Sequence, residues 1–309
     1  MDFIKRTLLI VFLLAGTLYS KAQQDPMYTQ YIFNLQTVNP AYAGTWQTIG
    51  FMALSRLQWV GFNGHPATGT FSFQTPIKSQ NVGLGFNVIK DVVGYEKRLS
   101  FNVDYAYQVS LSDLTKLRFG IKGGFTNYSH NLTEYELYPD GQSDPVFQNL
   151  IENKFMPNFG FGLYLYAPKY YLSLSLPKIL ENSYSSNVNN YSTKSVRQFY
   201  FAGGMVFDIS DAVKFKPTFM TQAVSGAPFQ YDLSANFLLA DKIWLGGMYR
   251  SGDALAAIAQ WIINKNFRLG YAYDFTTTDM VNYHYGVHEI MISYEINYSK
   301  LKYVSPRYF

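Results

Sequence analysis

Over most of the chain, apolar and polar residues alternate with a period of two. From Phe101 the odd positions run Phe101, Val103, Tyr105, Tyr107, Val109 and Leu111, while the even ones run Asn102, Asp104, Ala106, Gln108 and Ser110. The same split recurs at Tyr231, Leu233, Ala235, Phe237 and Leu239, and again at Phe267, Leu269, Tyr271, Tyr273 and Phe275. Successive side chains of a strand point to opposite faces, so each stretch predicts a strand with one apolar face and one polar or small face. Alternation and turn residues together predict fourteen strands: Thr45–Val60, Ala67–Pro76, Asn81–Lys90, Arg98–Ser110, Lys116–Thr126, Phe155–Tyr166, Tyr170–Leu176, Val196–Ile209, Val213–Thr221, Phe229–Leu239, Lys242–Arg250, Ala254–Asn264, Phe267–Thr276 and Val287–Ser299. Pro217 interrupts the ninth, and the run from Ala256 to Ala259 blurs the twelfth.

The connections sharpen the fold class. Joins after even-numbered strands are tight, at Ile77–Gln80, Leu111–Thr115, Ala167–Lys169, Ser210–Ala212, Ala240–Asp241 and Lys265–Asn266. Those after odd-numbered strands are mostly longer, including Asn127–Lys154, Pro177–Ser195 and Thr277–Gly286. Sorting by parity predicts an all-β, transmembrane up-and-down antiparallel barrel, with short periplasmic turns at one rim and longer surface loops at the other. The even count places both termini on the periplasmic side. A Greek-key sandwich has no reason to sort its loops this way. In lipid every backbone donor and acceptor must be paired, so the sheet has to close. The apolar faces carry almost no charge, as expected where a Lys or Arg at the bilayer midplane costs roughly 2 to 4 kcal/mol. Charge collects on the other face, at Asp104, Arg118, Lys122, Asp232, Arg250, Arg268, Asp274, Glu289 and Glu295. Mixed signs predict a ladder of ion pairs and hydrogen bonds that fills the lumen, in preference to a selectivity lining, which would favour one sign.

Composition then removes several classes. The chain has 27 Tyr, 25 Phe and 4 Trp at near-zero mean hydropathy, which argues against disorder and for apolar residues interleaved with polar ones. These rings are expected on lipid-facing positions and in girdles at the two interfaces. Absence of Cys excludes a disulfide framework, a thiol nucleophile and a thiolate metal site. A net charge of +4 over 309 residues, without a basic run, is too small for a nucleic-acid footprint. Residues 1–22 read as a secretory signal peptide, with Lys5 and Arg6, an apolar core from Thr7 to Leu18, and a Ser20-Lys21-Ala22 cleavage site. That core of about a dozen residues is short of the roughly 20 needed to span a bilayer. The expected organisation is a leader at 1–22, a periplasmic N-terminal segment or luminal plug at 23–44, the barrel at 45–299 and a C-terminal tail at 300–309.

Several segments carry a further signal. Gln24-Asp25-Pro26-Met27-Tyr28-Thr29-Gln30-Tyr31-Ile32-Phe33-Asn34 precedes Asn39-Pro40-Ala41-Tyr42-Ala43-Gly44, where Asn-Pro starts a turn and Gly44 frees the chain to join the barrel. Ser55-Arg56-Leu57-Gln58-Trp59-Val60-Gly61 follows, then Val82-Gly83-Leu84-Gly85-Phe86 and Asp91-Val92-Val93-Gly94, and finally Ser305-Pro306-Arg307-Tyr308-Phe309. Together these resemble the PorP/SprF family of Bacteroidetes outer-membrane proteins associated with type IX secretion and gliding motility. The resemblance is strongest over Gln24–Leu111. It implies a barrel that supports export or surface anchoring of a secreted partner, such as an adhesin, alongside other secretion or periplasmic components. Residues Asp25, Pro26, Asn34, Asn39, Pro40 and Gly44 read equally as structural, fixing how the chain joins the barrel, with Arg56 as a luminal contact and Trp59 as an interface anchor. Phe309, after Pro306 and Arg307, is similar to the aromatic end read by outer-membrane assembly machinery, although it lies about ten residues past the last strand.

No phosphate loop, nucleophile elbow or paired-carboxylate motif is present, and no enzyme activity or cofactor is expected. Of the four His, His284 and His288 would sit about 13 Å apart on a strand, too far to share a metal ion; His65 stands apart. His130 with Ser129 and Asp140 is the one candidate for a catalytic set. Glycines Gly83, Gly85, Gly160, Gly162, Gly203 and Gly204 suggest bends or room for opposing side chains. The two longest connections are the best places to grip a partner, with Tyr135, Tyr138, Phe147 and Tyr184 as aromatic anchors or, alternatively, as a lid packed over the mouth. The rival function is a passive porin or hydrophobic-solute channel.

Overall fold

The computed structural model describes residues 26–77, 81–131, 150–184, 195–296 and Tyr308. The strands are β1 (Ile49–Leu57), β2 (Ala67–Pro76), β3 (Val82–Val93), β4 (Glu96–Ser110), β5 (Lys116–Asn131), β6 (Leu150–Ala167) and β7 (Tyr170–Leu176). They continue as β8 (Gln198–Met205), β9 (Phe207–Ser210), β10 (Val213–Val224), β11 (Gln230–Leu239), β12 (Ile243–Arg250), β13 (Ala254–Ile262), β14 (Phe267–Thr276) and β15 (Val287–Ile296). Each pairs antiparallel with its neighbours, and the β10–β11 and β15–β1 pairings close the sheet. β8 and β9 are two pieces of one stave, both paired with β10. They part at Val206, whose N–H donates to the Lys169 carbonyl at 2.8 Å. The result is a fourteen-stave barrel. Pro217 sits within β10, opposite Ala235.

The barrel is apolar outside and polar inside. On β4, Val103, Tyr105, Tyr107 and Val109 are exposed, while Asp104, Ala106 and Gln108 are buried. On β11 the same division separates Leu233 and Phe237 from Asp232, Ser234 and Asn236. An apolar belt this extensive far exceeds the few hundred Å² that soluble monomers tolerate, and it suits a lipid surround. Among the described residues no helix is long and apolar enough to cross a membrane. Strands make the crossing.

Three departures from the sequence expectation have physical causes. β1 starts at Ile49, because Thr45–Thr48 turn away from the sheet and put Trp46 into the lumen; a Cβ on Gly50 would lie 2.2 Å from its ring. β5 and β6 run further towards the surface than alternation shows, ending at the Asn131–Leu150 pair. A 16-residue strand extends about 53 Å at 3.3 Å per residue, against an apolar band of about 25 Å. Above the bilayer both faces meet water, so Asn127, Ser129 and His130 carry no period-two signal. Finally, the even count does put Ile49 beside Ile296 at the periplasmic rim, but the segment ahead of Ile49 runs back through the lumen. Its Gly44 lies against Gly83 and Gln74 near the short turns, while Pro26 lines the same small cavity as Asp91, Arg98 and Tyr184 near the surface.

Ile121 lies on the outer face of β5 and is 60% exposed. Ile121→Arg is expected to lower the free energy of unfolding from lipid vesicles by about 2 to 4 kcal/mol. Ser112→Arg, in a periplasmic turn, should leave it within about 0.5 kcal/mol. Equal stability of the two variants in urea titrations would contradict a lipid-facing Ile121.

Candidate functional site

The lumen holds a chain segment with little internal bonding. Residues Thr29–Phe33, Leu35–Thr37 and Pro40–Tyr42 form three short 3-10 turns. Asn34 starts the second, its Oδ1 accepting from the Gln36 N–H at 3.1 Å. Asn39 starts the third in the same way, accepting from the Ala41 N–H at 2.9 Å with Pro40 in the first helical position. Turns this short leave most of their N–H and C=O groups without partners in the segment itself. Thr29, Gln30, Gln36, Asn39, Ala41 and Ala43 are fully buried, so the barrel wall has to supply those partners.

Towards the surface the wall supplies anions to N–H groups. Glu289 accepts from the Thr29 N–H at 2.7 Å and the Gln30 N–H at 3.0 Å, one carboxylate oxygen each. This places a negative charge at the N-terminal end of the first turn, where exposed N–H dipoles favour it. The Thr29 hydroxyl donates to Asp274 at 2.7 Å. Arg56 joins both acids, at 2.9 Å from Asp274 and 2.5 Å from Glu289. Arg250 makes a forked pair with Asp232, its opposite neighbour on β11, at 3.1 and 3.0 Å, and reaches the Tyr28 carbonyl at 3.4 Å.

Deeper in the lumen the wall supplies cations to carbonyls. Lys122 donates to the Thr37 carbonyl at 3.1 Å and pairs with Asp104 at 3.7 Å. Asp104 also accepts from Asn87 at 2.7 Å and from Gln36 of the segment at 3.3 Å. Arg118 donates through Nε to the Ala41 carbonyl at 3.1 Å and through its second terminal nitrogen to the Ala43 carbonyl at 2.5 Å. Gln74 accepts from the Gly44 N–H at 2.9 Å, and Asn39 Nδ2 reaches the Leu163 carbonyl and Ser173 at 2.9 and 2.7 Å. Close approach of the backbone needs wall positions without side chains. A Cβ on Gly83 would lie 2.1 Å from the Ala43 carbonyl oxygen, one on Gly120 2.1 Å from the Ala41 nitrogen, and one on Gly162 1.9 Å from Asn39.

The nine charged residues chosen from alternation all face the lumen, and most belong to this clamp. Arg268 and Glu295 pair with each other at 3.2 Å nearer the periplasmic rim. Arg118 departs from the ion-pair ladder: among the described residues its partners are carbonyls, Gln108 at 3.1 Å and the Tyr166 hydroxyl, with no carboxylate. Trp59 lies in the β1–β2 connection, stacked on Phe62. Tyr184 is buried against Tyr128, at 4.8 Å between ring centroids, and under Arg98 at 5.3 Å. Its ring thus packs inward over the barrel mouth. Tyr135, Tyr138, Phe147, Asp25, Pro306, Arg307 and Phe309 lie outside the described residues. Ser129 and His130 are consecutive on β5 and so point to opposite faces, and Asp140 lies outside the described residues. His288 hydrogen-bonds Tyr271 at 2.8 Å, whereas His284 accepts from the Gly286 N–H at 2.7 Å.

Sequence reasoning passed over Gln36, Gln74 and Lys216, which look like ordinary polar residues until the luminal segment is in place. It also passed over the exposed 3-10 turn Asp279–Tyr283 and Tyr285 beyond it. Gly120→Val, on the wall, is expected to displace the segment and give steady current in planar bilayers. Gly69→Val, on the outer face where a Cβ meets nothing within 4 Å, should stay closed. Two folded variants that are equally silent would contradict the close packing at Gly120.

Comparison with known proteins agrees with this architecture. The family model for the type IX secretion system membrane protein PorP/SprF matches residues 20–294. No curated protein sequence matches the chain. Among solved structures, the CymD monoaromatic hydrocarbon channel is similar over 88% of this chain and 93% of its own, with a TM-score of 0.51 and 10% identity. Omp33 of Acinetobacter baumannii is similar over 81% and 98%, with a TM-score of 0.47 and 10% identity. A FadL homologue of Pseudomonas aeruginosa is similar over 90% and 96%, also with a TM-score of 0.47 and 10% identity. At such identities the likeness concerns the barrel fold alone. The family match spans nearly the whole chain, which therefore belongs to the PorP/SprF family of type IX secretion system membrane proteins, as an integral barrel of the outer membrane.

Proposed function

We propose that this type IX secretion-associated barrel works as a holder for a secreted surface protein, an adhesin or similar cargo, and offers that partner a docking face in place of a passage. The observation that carries the reading is the occupied lumen: a segment whose buried backbone is bonded to Glu289, Lys122, Arg118 and Gln74 blocks the route a solute would take. A rigid closed barrel is a suitable base for partner-binding loops. Two of its surface connections are tied together, the Tyr285 N–H donating to the Val60 carbonyl at 2.6 Å and the Val60 N–H to the Gly286 carbonyl at 3.1 Å. They present Tyr283 and Tyr285, 72% and 78% exposed, beside Val281 and Phe62. Tyrosine is among the side chains that dominate protein interfaces. These rings take the anchoring role together with the connections 132–149 and 177–197.

Gentle detergent extraction from native cells, followed by identification of co-purifying proteins, is expected to recover a stoichiometric surface protein or secretion component. Recovery of neither would overturn the reading. Tyr283→Ala with Tyr285→Ala should weaken that association about tenfold or more, as loss of about 1 to 2 kcal/mol at an anchor implies, and leave barrel assembly unchanged. A passive channel predicts instead that the native barrel conducts with its luminal segment in place.

A further inference from the structure

Near the periplasmic end of the lumen, one ammonium group meets both Ile32 and Tyr308. Lys216, on β10, is fully buried. Its Nζ donates to the carbonyl of Tyr308 at 2.7 Å and lies 3.4 Å from the carbonyl of Ile32, in the first luminal turn. It also stands over two ring faces, Phe33 of the luminal segment at 4.9 Å and Trp244 of the wall at 4.5 Å. Tyr308 is itself buried, in the same apolar cluster as Phe33, Val206, Leu238 and Trp244. Its ring is 5.8 Å from Lys214 Nζ, and Lys214 is held by Asp241 in the adjacent short turn.

We propose that Tyr308 is a latch: docked on Lys216 from the periplasmic side, it locks the luminal segment in the barrel, and its withdrawal loosens that segment without unfolding the wall. The reasoning is physical. A buried ammonium needs acceptors, and it orders whatever supplies them. Here the acceptors come from two segments with no covalent path between them shorter than the whole barrel, so removing one changes how firmly the other is held. The Tyr308 ring also closes the apolar floor beneath Phe33 and Trp244, and its loss opens that floor to water. The clamp near the surface, built on Glu289 and Asp274, does not touch Tyr308. Withdrawal therefore loosens the stretch around Ile32 and Phe33 that faces Lys216 and leaves the anchor at Thr29 and Gln30 in place. A periplasmic protein that draws the chain end away from Lys216 would loosen the luminal segment by this route, whichever partner the surface loops hold.

Hydrogen exchange on the full chain in lipid nanodiscs tests the latch. Tyr308→Ala, which keeps the backbone carbonyl but removes the ring that seats it, is expected to speed exchange of amides 31–34 at least tenfold while strand amides on β4 and β11 stay within twofold of the wild type. Tyr308→Phe, which loses only the hydroxyl, should behave as the wild type, and so should Tyr283→Ala on the surface. Lys216→Met, an apolar side chain of similar length, should reproduce the Tyr308→Ala pattern. Unchanged exchange of amides 31–34 in folded Tyr308→Ala would overturn the proposal. An equal rise in luminal and strand amides would overturn it as well, since that shows general destabilisation in place of a latch.

Discussion

The structure depends on one constraint: staves that face lipid have to direct the polar side chains of their membrane-spanning stretches into a single closed space. Buried donors, acceptors and charges are costly unless each finds a partner, and a wall of fourteen staves bearing Arg56, Arg118, Lys122, Arg250, Asp274 and Glu289 has more bonding capacity than it satisfies within itself. The N-terminal segment answers that demand with its backbone. Its irregular turns leave N–H and C=O groups free, and the wall matches them by sign, carboxylates to the N–H groups of Thr29 and Gln30 and cations to the carbonyls of Thr37, Ala41 and Ala43. Wall and segment each remove the other's desolvation problem. Breaking a buried pair by removing one partner typically costs about 3 to 5 kcal/mol, so the segment is part of the fold and not an appendage.

The wall was legible in the sequence because lipid enforces period two wherever it touches a strand. Val103 against Asp104, and Leu233 against Asp232, identify both faces without a structure. Above the bilayer that enforcement ends, which is why the upper parts of β5 and β6 escaped the pattern and why Tyr184 could not be placed outside or inside. The luminal segment was legible only in part. Asn39-Pro40 and Gly44 marked a turn, but nothing in Gln36 or Lys216 announces partners 68 and 184 residues away. The glycines came nearest: Gly83, Gly85 and Gly162 occupy luminal parity, where a missing side chain signals something pressed against the wall. That something turned out to be the chain's own backbone.

These features bear on function through what they leave available. With its lumen filled, the barrel leaves two end faces, the exposed surface connections around Tyr283 and Tyr285 and the periplasmic floor where Tyr308 meets Lys216. On the proposed function, a surface protein is held at the first of these. The luminal segment runs between those sides, from Pro26 near the mouth to Gly44 near the short turns.

The most direct test of the account is whether the segment lies in the lumen of the assembled protein. The chain has no Cys, so an introduced pair reports alone. A Cβ at position 85 would lie 3.0 Å from that of Ala43 and 2.2 Å from the Gln36 amide nitrogen, so Gln36→Ala is included to make room and let the pair relax to the 3.5 to 4.5 Å or so of a disulfide. In that background Ala43→Cys with Gly85→Cys, oxidised in intact outer membranes, should cross-link nearly completely, while Ala43→Cys with Gly69→Cys on the lipid face should not. Two free thiols in a folded Ala43→Cys, Gly85→Cys barrel would contradict the occupied lumen on which the rest is built.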